Sequence, residues 1–276
     1  MVSFKKRYVD ERLRAEVDSA VYDENFLKVI KSDSEGSLSY VISSIKASKV
    51  VETKKVENVE YKTVENSEAW NGFAIAYLNK KDFANAKNIL ESMLSAGASD
   101  SLTINNYAAV LLNEMIEKNS IIEKVLSHAK ELTFKALKFD VRKKGELIEG
   151  ASRPPFKNLV LIRNIEAEVF LKKRDFFTAF VLAWISVEMS LTRIWFRFLK
   201  DQGYGKKKRQ WFADWDIAFV IESLSMLGII DPHIKNDLDC LRTLRNDVIH
   251  GILPYPEEGQ ISRCIKLGRE LIPILQ

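Results

Sequence analysis

The chain has 276 residues, with 42 Lys and Arg set against 38 Asp and Glu for a net charge of +4. Hydrophobic content of 46% and charged content of 29% exclude a disordered or fibrous protein, and the mild basicity permits an anionic partner without demanding one. Glycine (11) and proline (6) are scarce, so few turns separate long periodic segments and the fold class predicted is all-α.

The first 65 residues carry the weakest pattern. "YVDERLRAEVDSAVYDENFLKVIK" has helical apolar spacing, and "MVSFKKRYVDERLRAEVDS" lacks the uninterrupted apolar core of a secretory leader. "SDSEGS" (32–37) is a loop signal. "KASKVVETKKVENVEYKTVEN" is rich in Lys, Glu and Val, and reads equally as strand, extended linker or weak helix.

From Trp70 the spacing sharpens. "WNGFAIAYLNKKDFANAKNILESML" places Trp70, Phe73, Ala74, Tyr77, Phe83, Ala86 and Leu90 to suit two antiparallel helices turning near 79–82. The small residues Ala74 and Ala86 allow a close crossing, and the aromatics fill the wider gaps. This stretch resembles a tetratricopeptide repeat, although Ala74 stands where glycine is usual and the closing proline is missing near Ala98. "AEVFLKKRDFFTAFVL" from Ala167 repeats "AIAYLNKKDFANAKNI" from Ala74, and "TINNYAAVLLNEMIEKNSIIEKVLSHAKELTFKALKFD" reads as a further helix pair with a longer connection. Any packed helix pair alternates small and aromatic residues in this way, so a plain helical hairpin is the competing reading. The resemblance implies a stack of helical hairpins that binds a protein partner.

"VRKKGELIEGASRPPFKN" (141–158), with Gly145, Gly150, Pro154 and Pro155, is the expected linker, which divides the chain into residues 1–155 and 156–276. Helices are then predicted over about 158–172 and 176–200. The second of these, "FFTAFVLAWISVEMSLTRIWFRFL", is interrupted by Glu188 and Arg193 and reads as a buried helix, with no membrane span expected. The basic loop "DQGYGKKKRQW" follows. Its Lys206, Lys207, Lys208 and Arg209 stand beside Trp211, so cations for phosphates adjoin a ring for a base. A solvated loop with Trp211 buried explains the same residues.

"DPHIKNDLDCLRTLRNDVIHG" opens on Asp231 as a cap and Pro232 in the first turn. At about 100° per residue, Leu238, Leu241, Leu244 and Val248 form one apolar stripe. Arg245 falls at its edge, where a charge needs a buried partner, a second subunit or a bound anion. Asn246 and His250, four apart, share a face and can touch. Gly251 marks the helix stop. Arginine, asparagine and histidine around one concavity suit cleavage of an RNA phosphodiester. His250 can move the proton, Arg245 can clamp the phosphate, and Asn246 can hold either the imidazole or a phosphate oxygen. For Arg245 a structural alternative is an ion pair with Glu188, and the two readings coexist if that acid orients the arginine. For His250 the alternative is a capping histidine.

"RNDVIHG", preceded by "FFTAFVLAWISVEMSLTRIW" and "ESLSMLGIIDPHIKNDLDCLRTLRN", resembles the Arg-polar-x-x-x-His signature of the HEPN superfamily (higher eukaryotes and prokaryotes nucleotide-binding domains) over about 176–276. The resemblance implies a HEPN-like helical bundle that forms a homodimer and brings Arg245, Asn246 and His250 of each copy to a shared cleft. Many members are metal-independent ribonucleases that act as toxins or antiviral effectors; others are binding modules. A cytoplasmic, metal-independent and cofactor-independent endoribonuclease with RNA as partner is therefore the expected function. A non-enzymatic adaptor that dimerises through the bundle and a nucleotide-binding module are the alternatives. The two cysteines, Cys240 and Cys264, have no metal-ligand spacing and suit a reducing compartment.

Overall fold

The computed structural model describes residues 35–56, 59–140, 154–205, 216–251 and 255–275. The basic residues Lys206–Arg209, together with Trp211 and Trp215, lie outside them. The described chain is mainly helical, with one β-hairpin: α1 (Glu35–Ala47), β1 (Val50–Val56), β2 (Val59–Val64), α2 (Ser67–Asn79), α3 (Phe83–Ser95), α4 (Ser101–Glu117), α5 (Glu123–Asp140), α6 (Pro154–Lys172), α7 (Phe176–Asp201), α8 (Ile217–Met226), α9 (Pro232–Ile249), α10 (Glu258–Leu271) and a closing 3-10 turn (Ile272–Leu275). It falls into two compact units. One holds the residues up to Lys118 with Ser127–Phe139, and the other holds Asn119–Leu126 and the residues from Asp140 on.

In the first unit, α2 and α3 form the expected hairpin. Ala74 and Ala86 are fully buried in one core with Trp70, Phe83, Ile89, Leu90 and Met93. Small side chains at both positions let two helix backbones approach, and that is why alanine recurs there. The Lys/Glu/Val stretch is the antiparallel hairpin β1–β2, paired from Val50↔Val64 to Val56↔Val59. β-Branched valine and threonine favour that extended state. Both faces of β2 reach a core, Tyr61 from one and Val64, three residues on, from the other. The Tyr61 hydroxyl donates to the Lys135 carbonyl on α5 at 2.8 Å, beside Ile104 of α4 and Ala136 of α5.

At the start of α4 the Asp100 carboxylate accepts from the Thr103 amide at 2.9 Å and from the Thr103 hydroxyl at 2.7 Å. The Asn71 amide donates to the Thr103 hydroxyl at 2.9 Å, and Asn106 donates to Asn71 at 2.8 Å. These buried polar groups satisfy one another, which is the condition for burying them without loss of stability. On the surface of this unit, burial pushes the Glu114 carboxyl up, but hydrogen bonds from Lys118 and Lys87 outweigh it and hold it below its ordinary value.

In the second unit α7 is the central helix and packs on α6, α8 and α10, while α9 packs on α8 and α10. By length and composition, α7 is the one described helix apolar enough to cross a membrane; its inner face, with Phe180, Trp184, Val187, Leu191 and Ile194, is buried in the bundle. Pro154 and Pro155, expected in a linker, instead occupy the first turn of α6, where a missing amide proton costs no helical hydrogen bond. Burial and the neighbouring Arg193 cation hold the Lys157 ammonium below its ordinary value. Arg193 itself stacks 5.9 Å over the Phe156 ring.

α6, α7 and α10 meet at a buried polar joint. Asn164 donates to the Ile265 carbonyl at 2.8 Å, and its own oxygen accepts from Arg269 Nε at 2.8 Å. Arg269 Nη2 lies 2.7 Å from Glu168 as an ion pair, off the hydrogen-bond line. Gly268 sits against this joint: a Cβ there would come within 2.6 Å of Ser186 Oγ and 2.7 Å of Asn164 Nδ2. Cys264 is buried beside it, and burial drives its thiol pKa well up, while Cys240 is exposed on α9.

The repeat seen in the sequence extends to the turns of α2–α3 and α6–α7. Lys81 and Arg174 both adopt left-handed backbone, with φ of 61° and 59°. Asp82 N–H donates to the Tyr77 carbonyl at 2.9 Å, and Asp175 N–H donates to the Phe170 carbonyl at 3.0 Å. Lys81 N–H and Arg174 N–H close the inner ring on Leu78 and Leu171, each at 3.0 Å. This is the Schellman closure of a helix C-terminus, and the next residue at once begins the following helix. Asp82 and Asp175 cap α3 and α7 by accepting from the Asn85 and Thr178 amides at 3.2 and 3.1 Å.

Candidate active site on helix α9

α9 starts as the sequence predicts. Asp231 Oδ1 accepts from the His233 and Ile234 amides, each at 2.9 Å, and Pro232 fills the first turn. Leu238, Leu241, Leu244 and Val248 are buried as the anchoring stripe. The helix closes with His250 as its cap and Gly251 at φ +71°. The His250 amide donates to the Asn246 carbonyl at 2.9 Å, which fixes the backbone from which the imidazole projects.

The half-exposed Arg245 lies at the edge of the stripe. Its Nη1 donates to Asn246 Oδ1 at 3.0 Å, and its Nη2 stands 4.0 Å from Glu188 Oε1 on α7. At that separation, with both side chains about one-third exposed (37% and 32%), the ion pair is loose and solvent-screened. Arg245 Nε is buried with no hydrogen-bond partner among the described residues. The guanidinium is thus oriented by two neighbours but not consumed by them.

The expected contact between Asn246 and His250 does not form. A guanidinium is the stronger donor and takes the Asn246 oxygen, whereas His250 is exposed at the helix end and its imidazole makes no hydrogen bond to a described residue. The structure therefore brings Arg245, Asn246 and Glu188 together and sets His250 one turn along the same flank. Lys206, Lys207, Lys208 and Arg209 lie outside the described residues.

Sequence reasoning passed over Arg242. It lies three residues before Arg245 on α9, so its side chain starts about 60° around the helix from Arg245. Its Nε is also buried without a partner among the described residues. Asp239 on α9 and Glu222 on α8 are engaged elsewhere: Lys235 takes them at 2.8 Å and 3.1 Å, and these two contacts hold its ammonium above the ordinary lysine value. The available signal was the helical spacing of a second arginine beside the first.

No family model matches the chain, and no curated protein or solved structure matches it.

Proposed function

We propose that the chain is a metal-independent endoribonuclease of HEPN type that works as a homodimer in the cytoplasm, with RNA as its partner. The observation that carries this reading is the flank of α9. There an incompletely paired Arg245 faces Glu188 and is steadied by Asn246, which stands one turn from the exposed His250. In the reaction, one His250 takes the proton of an RNA 2′-hydroxyl and the oxygen attacks the adjacent phosphorus. The bond to the 5′ oxygen breaks, and the partner subunit's His250 returns a proton to that oxygen. A 2′,3′-cyclic phosphate and a 5′-hydroxyl remain. Arg245 neutralises the charge that grows on the phosphoryl oxygens, and Asn246 and Glu188 hold the guanidinium in place.

Lys206–Arg209 guide the strand in this scheme, the first unit's hairpins take a protein partner, and toxin or antiviral action is the accompanying role. Incubating purified protein with total RNA in EDTA tests the reading. Cleavage that falls by about 10²–10⁴-fold in His250→Ala and Arg245→Ala is the expected result. Intact RNA at high protein concentration, across varied RNAs, overturns it, and so does a strict monomer in light scattering.

A second reading draws on the Glu188–Arg245 contact as a purely structural tie. In it the chain is a non-enzymatic adaptor, the bundle only dimerises, and biological activity survives His250→Ala.

A further inference from the structure

We propose that Arg242 and Arg245 form a two-pronged clamp for a phosphate group, with Arg242 as a binding residue in addition to Arg245, Asn246 and His250. The clamp deepens the nuclease reading of the same site. On α9 the residues Arg245, Ile249, Arg242, Asn246 and His250 fall within one sector of about 140°. Side chains three residues apart on a helix start from neighbouring positions, so the two guanidinium groups are within reach of one ligand. Two like charges at that spacing repel each other, and a fold ordinarily offsets them with carboxylates.

Here the offset is incomplete. Arg245 has one carboxylate, Glu188, at 4.0 Å. Among the described residues Arg242 has no hydrogen-bond or ion-pair partner, and its Nε is shut away from water. Asp239 on α9 and Glu222 on α8 both serve Lys235. The sealed Nε cannot itself meet a ligand, but the partly exposed side chain keeps its outer guanidinium nitrogens unengaged by any described carboxylate and open to an acceptor that arrives from outside. A phosphate supplies several oxygens at once and takes planar forks from two arginines. The chemical class is thus a phosphate or phosphodiester, whether a link in an RNA strand or the phosphate of a free nucleotide. The exposed Ile249, at 50%, lies one turn beyond Arg245, at an angle between the two arginines, and offers an apolar footing for a sugar or base.

The test uses the full-length protein with two probes: a 2′-O-methyl ten-nucleotide RNA, which binds but cannot be cleaved by 2′-oxygen attack, and inorganic phosphate. Expected for Arg242→Ala is about a tenfold loss of affinity for the oligonucleotide, with the slope of log affinity against log salt smaller by about one. Phosphate should raise the melting temperature of the wild type and leave Arg242→Ala unmoved. Arg242→Leu should melt no lower than the wild type, because no internal partner is lost. Response to phosphate alone, without oligonucleotide binding, assigns the clamp to a small phosphorylated ligand; response to both assigns it to a strand. Equal binding of both probes by wild type and Arg242→Ala overturns the clamp, as does a melting point several degrees lower in Arg242→Leu. If RNA is never cleaved yet binding still depends on Arg242, the nuclease reading fails and the clamp stands. If RNA is cleaved and Arg242→Ala leaves KM unchanged, the reverse holds.

Discussion

Two arginines in the helical bundle meet an asparagine and a glutamate each, with different results. Arg269 on α10 donates to Asn164 at 2.8 Å and lies 2.7 Å from Glu168. Arg245 on α9 donates to Asn246 at 3.0 Å, stands 4.0 Å from Glu188 and leaves its Nε unbonded. The first arginine joins α10 to α6, and its partners lie a hundred residues away in sequence. The second is held loosely from its own helix and from α7. A charged side chain held by a close carboxylate and an amide distant in sequence serves architecture, while one whose carboxylate stands 4.0 Å off at a helix edge is available to a ligand. Residue type alone does not separate the two.

Substituting both arginines tests that contrast most strongly. Arg269→Ala leaves Asn164 and Glu168 without their donor and is expected to cost about 2–4 kcal/mol. Arg245→Ala breaks one loose ion pair and one local hydrogen bond, for less than about 1 kcal/mol. Urea denaturation of the two variants measures the gap, and equal losses would erase the distinction drawn here. The joint around Arg269 has a second sensitive point. Gly268→Ala places a methyl group against Ser186 and Asn164, two side chains already fixed by hydrogen bonds, and should destabilise by about 1–3 kcal/mol. No glycine of that kind occurs on α9, where Gly251 faces open space.

The smallest effects belong to the two matched turns. Asp82→Ala and Asp175→Ala each remove one capping carboxylate and should each cost about 1 kcal/mol, the same within error because the turns share their geometry. Lys81→Gly and Arg174→Gly relieve a left-handed side-chain conformation and should each add up to about 1 kcal/mol. Thermal melts of all four variants check the pairing, and a marked inequality between the two turns would show that their surroundings differ more than their backbones do.

What could be read beforehand follows from range. The α9 stripe, its Asp231–Pro232 start and the Ala74/Ala86 hairpin are local patterns, repeated within one or two helical turns. The Glu188–Arg245 approach was also legible, because an acid on an apolar helix and a base at the edge of another have few other partners. The β1–β2 hairpin was not singled out. Lys and Glu alternate with Val there, no glycine marks the connection at Glu57–Asn58, and three local states fit equally well. Pro154 and Pro155 looked like linker residues because proline punctuates loops as readily as it opens helices. The Asn164–Arg269 joint was invisible, since an asparagine and an arginine 105 positions apart each read as surface residues. At the site itself, Asn246 was expected beside His250, but spacing alone cannot say that a nearer guanidinium would capture the amide.

The two cysteines lend α9 a practical use. Cys264 is sealed in the bundle and its thiol resists ionising, whereas Cys240 is exposed, about 200° around α9 from Arg242. A thiol-reactive dye added to the native protein therefore attaches at one place, roughly opposite Arg242 on the helix and almost three turns before His250. Fluorescence from that single label follows the helix without obstructing it, and no cysteine need be engineered or removed.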